Sequence, residues 1–303
     1  MAYDTIMVFN DRFRNHILPD KVHMLNVSFT VFEMRREFGG CAGNISYNLN
    51  LLGGAPVMMA TIGDDDQPYR ERLAHLGLDV THLRTMPGSY TAQAFITTDL
   101  DDNQITAFHP GAMGLSYHNE VGAAKDIRLG IIAPDGRDGM LAHARQMHEA
   151  GIPFVFDPGQ AMPLFDRDEL RQFVEWADYL AVNDYEGQLL QERAEIPLAE
   201  LAARVKAMIV TKGADGSEIT VDGRTIAIPA VPPDAETDPT GCGDAYRAGL
   251  LYGIAHEWDW ERSGRLASLL GSIKIAHRGG QNHSFDRAGV AERYRHAFGA
   301  APW

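Results

Sequence analysis

The residues best suited to chemistry lie in a glycine-rich segment, residues 238–244, which ends at Asp244 and runs directly into a helical pattern. Glycines at the start of a helix allow consecutive backbone N–H groups to converge on an anion, and the positive end of the helix dipole stabilises it there. Three consecutive amides could form this anion site, those of Gly241, Cys242 and Gly243. Asp244 would then face a hydroxyl group, so the segment predicts phosphoryl transfer with Asp244 as the base. The alternative is a helix start that Asp244 merely caps.

This segment differs from the two common nucleotide-binding loops. The chain contains no Gly-Lys dipeptide, which excludes a P-loop, and Tyr246 occupies the last glycine position of the dinucleotide fingerprint. Cys242 has two interpretations, a thiol whose pKa is lowered by the helix start or a small residue that fills a packed loop. The other cysteine, Cys41, lies far away in the sequence. We therefore expect no disulfide and a reducing, cytoplasmic location.

A second glycine-rich segment, residues 38–54, also precedes a helical pattern. Apolar residues at helical spacing predict one buried face, which leaves Gly39, Gly40 and Asn44 at the entrance of the helix. Backbone can approach a ligand closely there, and Asn44 offers both a donor and an acceptor to the vicinal hydroxyls of a sugar. The alternative is a simple glycine turn and helix cap.

Taken together, the segments near residues 40 and 240 resemble the two signature regions of the ribokinase-like, phosphofructokinase-B-type family of carbohydrate and nucleoside kinases. Residues 183–186 look like the N-x-x-E motif of that family for magnesium and phosphate, and residues 211–216 are similar to its nucleotide loop. Each motif is weak alone, but their order and spacing agree over nearly the whole chain. The resemblance implies ATP and Mg²⁺, the metal being held through water by Asn183 and Glu186. The implied nucleotide-binding residues are Asn183, Glu186, Thr211, Gly213, Gly216, Gly280 and Gln281. A monovalent cation such as K⁺ near Asp238 and Thr240 is left open.

Four further strings resemble the bacterial adenosine-kinase branch of the family, at residues 11–19, 34–40, 103–112 and 279–283. This resemblance implies ATP-dependent phosphorylation of the 5′-hydroxyl of a ribonucleoside, with adenosine as the first candidate. The implied substrate-binding residues are Asp4, Gly39, Gly40 and Asn44. Asp4 follows only three residues, whereas the family usually has a longer first strand ahead of this aspartate. Two alternatives remain, a sugar kinase acting on ribose or fructose and a catalytically silent protein that binds a nucleoside or sugar.

The elements that must position these residues follow an α/β rhythm from about residue 129 onward. Short apolar runs predict buried strands at residues 129–134, 152–157, 179–183 and 208–211. Amphipathic spacing predicts helices at residues 137–150, 168–177 and 198–206. Right-handed crossovers between parallel strands are the economical topology, so we expect an α/β fold with a doubly wound, mainly parallel sheet.

Two segments do not fit that rhythm and predict a small β-sheet lid formed by insertions, at about residues 3–36 and 90–109. The second reads as a β-hairpin around the polar turn at residues 101–103. Six phenylalanines fall in the lid and could serve a nucleoside base, the lid core or a dimer interface: Phe9, Phe13, Phe29, Phe32, Phe95 and Phe108. We expect one ribokinase-like domain over residues 1–303, with the α/β body at about 40–89 and 110–303. Open lid edges predict a homodimer through the lid.

Composition narrows the class of partner. The formal net charge of −14 and the absence of a basic cluster argue against nucleic acid and anionic membranes as partners. No run of 18 apolar residues occurs, so we expect no transmembrane helix. The partners that remain are small molecules, ATP and a nucleoside or sugar.

Overall fold

The computed structural model describes residues 1–17, 26–101 and 103–303. Parts of three sequence predictions lie outside those residues: residues 18–25 of the lid segment, the end of the string at 11–19, and the turn residue Asp102. The strands are β1 (Ala2–Phe9), β2 (Val31–Gly39), β3 (Ala60–Ile62), β4 (Leu83–Thr85), β5 (Ala92–Thr98), β6 (Gln104–His109), β7 (Gly130–Ile132), β8 (Phe154–Phe156), β9 (Tyr179–Asn183), β10 (Ala207–Thr211), β11 (Ser217–Val221) and β12 (Arg224–Ile228). The α-helices are α1 (Cys41–Leu51), α2 (Gln67–His75), α3 (Arg137–Ala150), α4 (Arg167–Trp176), α5 (Asp184–Ala194), α6 (Leu198–Arg204), α7 (Cys242–Ala255), α8 (Trp260–Ile275) and α9 (Arg287–Phe298).

The larger sheet has six strands in the order β12-β11-β10-β9-β8-β7. Strands β7 to β10 run parallel, and β11 and β12 form an antiparallel pair at one edge. Two predicted strands are shorter than expected, because Pro134 and Pro153 lack the N–H group that a ladder requires. The predicted mainly parallel sheet is confirmed, and the antiparallel edge pair was not anticipated.

Alternating side chains of the central strands divide between two apolar layers. Phe154 and Phe156 of β8 pack into a cluster with residues of α3, α4, α5 and α6. Val155, between them, faces the other way into a cluster with residues of α1, α7 and α8. Helices therefore cover both faces of the sheet, which is the doubly wound arrangement that the sequence predicted.

Helix α7, which carries Asp244 in its first turn, is held close to α8. A side chain at Gly249 would bring its Cβ within 2.6 Å of the Cα of Ala267, so glycine is needed for the two backbones to approach. Buried leucines of α7 and α8 also pack in the apolar clusters beside this contact. Together these contacts fix the start of α7 relative to the sheet.

Four strands form a separate sheet in the order β2-β1-β5-β6, which we call the lid. Strand β1 pairs antiparallel with β2 and parallel with β5, and β5 and β6 form the predicted hairpin. The carboxylate of Asp99 supports the hairpin turn by accepting hydrogen bonds from the N–H groups of Asp101 and Asn103, each at 2.9 Å. Strands β3 and β4 form a short parallel pair beside it.

No helix within residues 1–17, 26–101 or 103–303 combines the length and the apolar character needed to cross a membrane.

Candidate active site

The start of α7 leaves backbone donors exposed beside Asp244. Gly241 has a φ of 78°, a left-handed conformation that favours glycine, and it turns the chain into the helix. Its N–H and that of Gly243 have no backbone acceptor among the described residues, whereas the N–H of Cys242 donates to the carbonyl of Pro239 at 3.1 Å. Two of the three predicted anion donors are therefore available, and the third is engaged in a turn.

The carboxylate of Asp244 does not cap the helix. No side chain caps the start of α7, and Asp244 Oδ2 instead accepts a hydrogen bond from Asn44 Nδ2 at 2.8 Å. Burial raises the pKa of Asp244, and the hydrogen bond from Asn44 partly offsets that effect. The group is thus held in place from outside its own helix, and the interpretation of Asp244 as a simple cap is not supported.

Asn44 reaches Asp244 because α1 begins at the same cleft. Gly40 precedes α1 with a φ of 84°, and a side chain there would collide with the backbone of Ala2. The amide of Asn44 is buried and bridges two groups, since its Oδ1 accepts a hydrogen bond from Gln281 Nε2 at 3.0 Å. The contact between residues 44 and 244 joins the two glycine-rich segments that the sequence singled out.

The predicted adenine-side residues Gly280 and Gln281 lie against Asn44. A Cβ at Gly280 would lie 2.5 Å from Asn44 Oδ1, and Gln281 Nε2 also donates to the hydroxyl of Tyr69 at 2.7 Å. Gln281 is buried, and its hydrogen bonds among the described residues join it to Asn44, Tyr69 and Arg72, none of which belongs to the nucleotide loop. The hydrogen bond from Gln281 therefore helps to hold the side chain of Asn44 in place.

Asp4 faces the same cleft from the lid. A Cβ at Gly39 would lie 2.6 Å from Asp4 Oδ2, so the glycine makes room for this carboxylate. Burial, followed by the charges of Asp238, Asp244 and Glu37, raises the pKa of Asp4 to about 6. Asp4 thus lies beside Gly39, one of the two glycines that lead into α1, the helix that carries Asn44.

The N-x-x-E motif forms a capping box at the start of α5. Asn183 Oδ1 accepts a hydrogen bond from the N–H of Glu186 at 2.7 Å, and Glu186 Oε2 accepts one from the N–H of Asn183 at 2.8 Å. Burial raises the pKa of Glu186, and the backbone N–H of Asn183 opposes that shift. Both side chains thus have a structural role before any ligand binds.

The side-chain oxygens of Asn183 and Glu186 fit a magnesium ion that is bound mainly by nucleotide phosphates and water. In the described ranges, no three His, Cys, Asp or Glu side chains are gathered closely enough to hold a metal by themselves. Mg²⁺ bound with a nucleotide keeps several waters and takes one or two carboxylates besides phosphate oxygens, so a single half-buried carboxylate, that of Glu186, is compatible with it.

The predicted nucleotide loop follows β10 and closes on itself. The N–H of Lys212 donates to the carbonyl of Gly216 at 2.8 Å, and Gly213 and Gly216 both have positive φ angles, 58° and 85°. No atom lies near the position that a Cβ of Gly213 would take. Lys212 pairs with Glu218 at the surface. Thr211 ends β10 at the same edge of the sheet as Asn183 ends β9, the edge where ligands of such sheets bind.

Cys242 does not behave as an activated thiol. Burial raises its pKa to about 11, the direction opposite to activation at a helix start. Both cysteines are free, and the Cys41 thiol lies against Asp244. The interpretation of Cys242 as a small packed residue is the one that the geometry favours.

A buried ion pair beside Asp244 was not anticipated. Arg247, one turn after Asp244, donates from Nε and Nη2 to the two carboxylate oxygens of Asp157 at 3.0 and 3.2 Å. Both side chains are almost inaccessible, at 5% and 10% exposure. Their charges act on the pKa values of both Asp244 and Glu186.

Comparison with known proteins identifies the family of the chain. The sequence model of the pfkB family of carbohydrate kinases matches residues 4–287. This chain belongs to that family. It is therefore a kinase, as the glycine-rich segments and Asp244 predicted.

Solved structures and curated relatives of the kinase agree with this assignment. A nucleoside kinase of Burkholderia thailandensis, solved in complex with inosine, is 53% identical, with 99% of this chain and 96% of that chain covered and a TM-score of 0.91. A nucleoside kinase of Methanocaldococcus jannaschii is 29% identical over 85% of each chain. An ATP-dependent ribose-1-phosphate kinase of Halopiger xanaduensis is 28% identical over 84% of this chain and 85% of its own. The ribokinase-like fold is confirmed.

The fold brings Asn44, Gly241 and Gly280 together beside Asp244. The nucleotide loop and the capping box follow the carboxyl ends of the adjacent strands β10 and β9. Arg247 and Asp157 were missed because an arginine three residues after Asp244 and an aspartate after β8 gain meaning only when α7 packs on the sheet.

Proposed function

We propose that this kinase transfers the γ-phosphoryl group of ATP to the 5′-hydroxyl of a ribonucleoside, with adenosine as the preferred substrate. The observation that carries the proposal is the carboxylate of Asp244, held by Asn44 at a helix start where the N–H groups of Gly241 and Gly243 have no described acceptor. The inosine complex of the Burkholderia thailandensis nucleoside kinase supports a nucleoside as the acceptor. Its complex with ADP-inosine supports an adenine nucleotide as the phosphoryl donor.

Phosphoryl transfer depends mainly on positioning and on neutralising charge at the transferring group. Asp244 would accept the proton of the attacking hydroxyl, and its raised pKa makes it a better base than an ordinary aspartate. The N–H groups of Gly241 and Gly243 would hold the developing negative charge, helped by the dipole of α7. The N–H of Cys242 would have to exchange its bond with Pro239 for one to a phosphate oxygen.

The donor side of the site would be built from the carboxyl edge of the sheet. Thr211, Gly213 and Gly216 would line the nucleotide, and Gly280, next to Gly241, would border its phosphates. Mg²⁺, when bound with the nucleotide beside Asn183 and Glu186, would neutralise phosphate charge. The adenine role predicted for Gln281 stays a prediction, and its contact with Asn44 supports a positioning role instead.

The acceptor side would be built from the lid and α1. Asp4 would accept hydrogen bonds from ribose hydroxyls, and the lack of a side chain at Gly39 leaves room for its carboxylate. The direct substrate contacts predicted for Gly39 and Gly40 stay a prediction. Asn44 would contribute a weaker contact, because both ends of its amide already bind Asp244 and Gln281.

Some of the lid phenylalanines are packed and others are exposed, and the exposed Phe108 supports a nucleoside rather than a sugar as the substrate. Phe9, Phe13 and Phe29 pack on one another as lid core, with ring centroids 4.8–5.9 Å apart. Phe108 is 52% exposed, and the strand register puts it beside Ala94, which is beside Asp4. Phe108 therefore shares a face of the lid with Asp4, where an aromatic ring could stack on a base.

An ATP-consumption screen over adenosine, inosine, ribose and fructose tests the proposed function. We expect phosphorylation of the nucleosides, with adenosine highest, and little with the free sugars. Phe108→Ala should lower kcat/KM for nucleosides and leave that for ribose unchanged. Phe95→Ala, a matched change on the opposite lid face, should leave the ratio between the two substrate classes as it is.

A sugar preference in this screen would favour the alternative, a sugar kinase acting on ribose or fructose. Absence of ATP consumption with every acceptor would favour the silent binding protein.

We predict that substrate affinity falls at acidic pH through Asp4. Because its pKa is raised to about 6, the carboxylate loses its charge as the pH falls from about 7 to 5, and at pH 5 only about a tenth stays ionised. A protonated carboxyl accepts hydroxyl hydrogen bonds less well, so KM for the nucleoside should rise by roughly tenfold over that range. Steady-state kinetics between pH 5 and 8 measure the change.

Asp4→Asn is the control for this pH effect. The KM of this variant for the nucleoside should be high at every pH and should not rise further as the pH falls. Between pH 4 and 6 the folded protein binds more protons at Asp4 than the unfolded chain does, so the free energy of unfolding should fall as the pH rises through that window in the wild type and less so in the variant. An unchanged acidic rise in Asp4→Asn would assign the titration to another group.

We also propose a homodimer through the lid. The face opposite Asp4 carries exposed apolar side chains in adjacent register, Met34, Phe95 and Ile105, at 71%, 41% and 45% exposure. An apolar patch beside the exposed edge strand β6 is the kind of surface that a second copy covers. The mass measured in solution at micromolar concentration should be that of a dimer, and Ile105→Arg should lower it to that of a monomer. A monomeric wild type would remove the proposal.

A further inference from the structure

Lys274 is a fully buried lysine at the end of α8, next to the anion site but not part of it. Buried lysines are rare unless the ammonium group has close partners, because removing its charge from water is costly. Here Nζ donates to the carbonyl of Asp238 at 2.6 Å and to the carbonyl of His277 at 3.0 Å. The ammonium group therefore lies between the segment that leads into α7 and the turn that follows α8.

The same two segments are joined by Asp238 itself. Its Oδ1 accepts a hydrogen bond from the N–H of Thr240 at 2.9 Å, and its Oδ2 accepts one from the N–H of Gly279 at 2.8 Å. Burial opposes ionisation of Asp238, but these N–H groups and the charge of Lys274 hold its pKa below the usual range. A carboxylate and an ammonium group thus clamp the anion loop to the residues that border Asn44.

Backbone carbonyls that converge on a point without side-chain donors are the typical environment of a monovalent cation. The family resemblance leaves open such a cation near Asp238 and Thr240. The residues present do not fit a free ion, since the Asp238 carbonyl oxygen that would bind it is already 2.6 Å from Lys274 Nζ. An ammonium group and a potassium ion cannot share that position.

We propose that Lys274 is a tethered monovalent cation, which replaces K⁺ in holding the anion loop, so that this kinase works without added K⁺. The ammonium of Lys274 carries the same charge as the ion and donates to the carbonyls that the ion would bind. Its charge also reaches Cys242 and Asp244, so it adds positive potential where phosphate charge develops.

The test compares wild type, Lys274→Ala and Lys274→Met in potassium, ammonium and tetramethylammonium chloride at equal ionic strength. Tetramethylammonium is too large for the site and controls for salt alone. The wild type should be indifferent to the choice of cation. Lys274→Ala should lose roughly 10²- to 10³-fold in kcat in tetramethylammonium, the usual cost of losing one anion-site donor, and should recover with K⁺ or NH₄⁺. Lys274→Met fills the space with an uncharged chain and should not recover.

Thermal unfolding without substrate provides a second readout. K⁺ should raise the Tm of Lys274→Ala relative to tetramethylammonium and should leave the wild type and Lys206→Ala, an exposed-lysine control, unchanged. This measurement involves no acceptor, so a wrong substrate assignment in the proposed function leaves it standing. Several-fold activation of the wild type by K⁺ overturns the proposal, as does a folded Lys274→Ala that is indifferent to K⁺ and NH₄⁺. If Lys274→Ala does not fold, the cation dependence of the wild type alone decides.

Discussion

Asp244→Asn should lower kcat by roughly 10²- to 10⁴-fold, the range that a positioned general base contributes. The substitution is nearly isosteric, and the side-chain oxygen of the new amide can still accept the hydrogen bond that Asn44 donates at 2.8 Å. The cleft should therefore keep its shape while losing its proton acceptor. Nucleotide binding should change little, because the N–H groups of Gly241 and Gly243 remain. Steady-state kinetics with a nucleoside and calorimetric binding of ATP separate the two quantities.

Asp168→Asn is a matched control for this variant. Asp168 is also an aspartate in the first turn of a helix, α4, but it is exposed and pairs with Arg167 at the surface. It should leave kcat unchanged. Near-normal turnover by Asp244→Asn would show that Asp244 is not the base.

Arg247→Met should reduce the free energy of unfolding by about 3–5 kcal/mol, the usual cost of removing one partner from a buried ion pair. Methionine keeps much of the length of the side chain, so the loss would come mainly from the carboxylate of Asp157, which stays buried with two hydrogen bonds missing. Denaturant unfolding followed by circular dichroism measures the change.

Two further variants show whether the unpaired carboxylate of Asp157 causes the loss of stability. Arg293→Met breaks an exposed pair with Asp234 and should cost only about 0–1 kcal/mol. The double variant Arg247→Met/Asp157→Leu removes both charges and should recover much of the loss. A double variant no more stable than Arg247→Met alone would mean that packing of the arginine stem, not charge, stabilises the fold.

Local features of the active site were predictable from the sequence because they depend on neighbours in the chain. The glycine-rich entry into α7 and the position of Asp244 at its start follow from residues 238–244 alone. The contact between Asn44 and Asp244 joins residues 200 positions apart, so it required the packing of α1 on α7. The hydrogen bonds of Gln281 to Asn44 and Tyr69 were not anticipated for the same reason, since those partners lie in α1 and α2.

The lid illustrates a second limit on sequence prediction. Alternation along β5 and β6 predicted the hairpin, but the sequence could not assign Phe95 and Phe108 to a face. That assignment depends on register against β1, where Ala94 falls beside Asp4 and Phe95 beside Thr5. A shift of one residue would have exchanged the two phenylalanines between the face that carries Asp4 and the opposite face.

The capping box of α5 means that this part of the proposed donor site is ordered before anything binds. Glu186 Oε2 and Asn183 Oδ1 each accept a hydrogen bond from an N–H group at the start of the helix. A carboxylate or amide oxygen has a second lone pair, so both side chains could meet a metal-bound water without losing these bonds. The conformational entropy of the two side chains is therefore lost on folding and not on nucleotide binding, which would preorganise the proposed magnesium site.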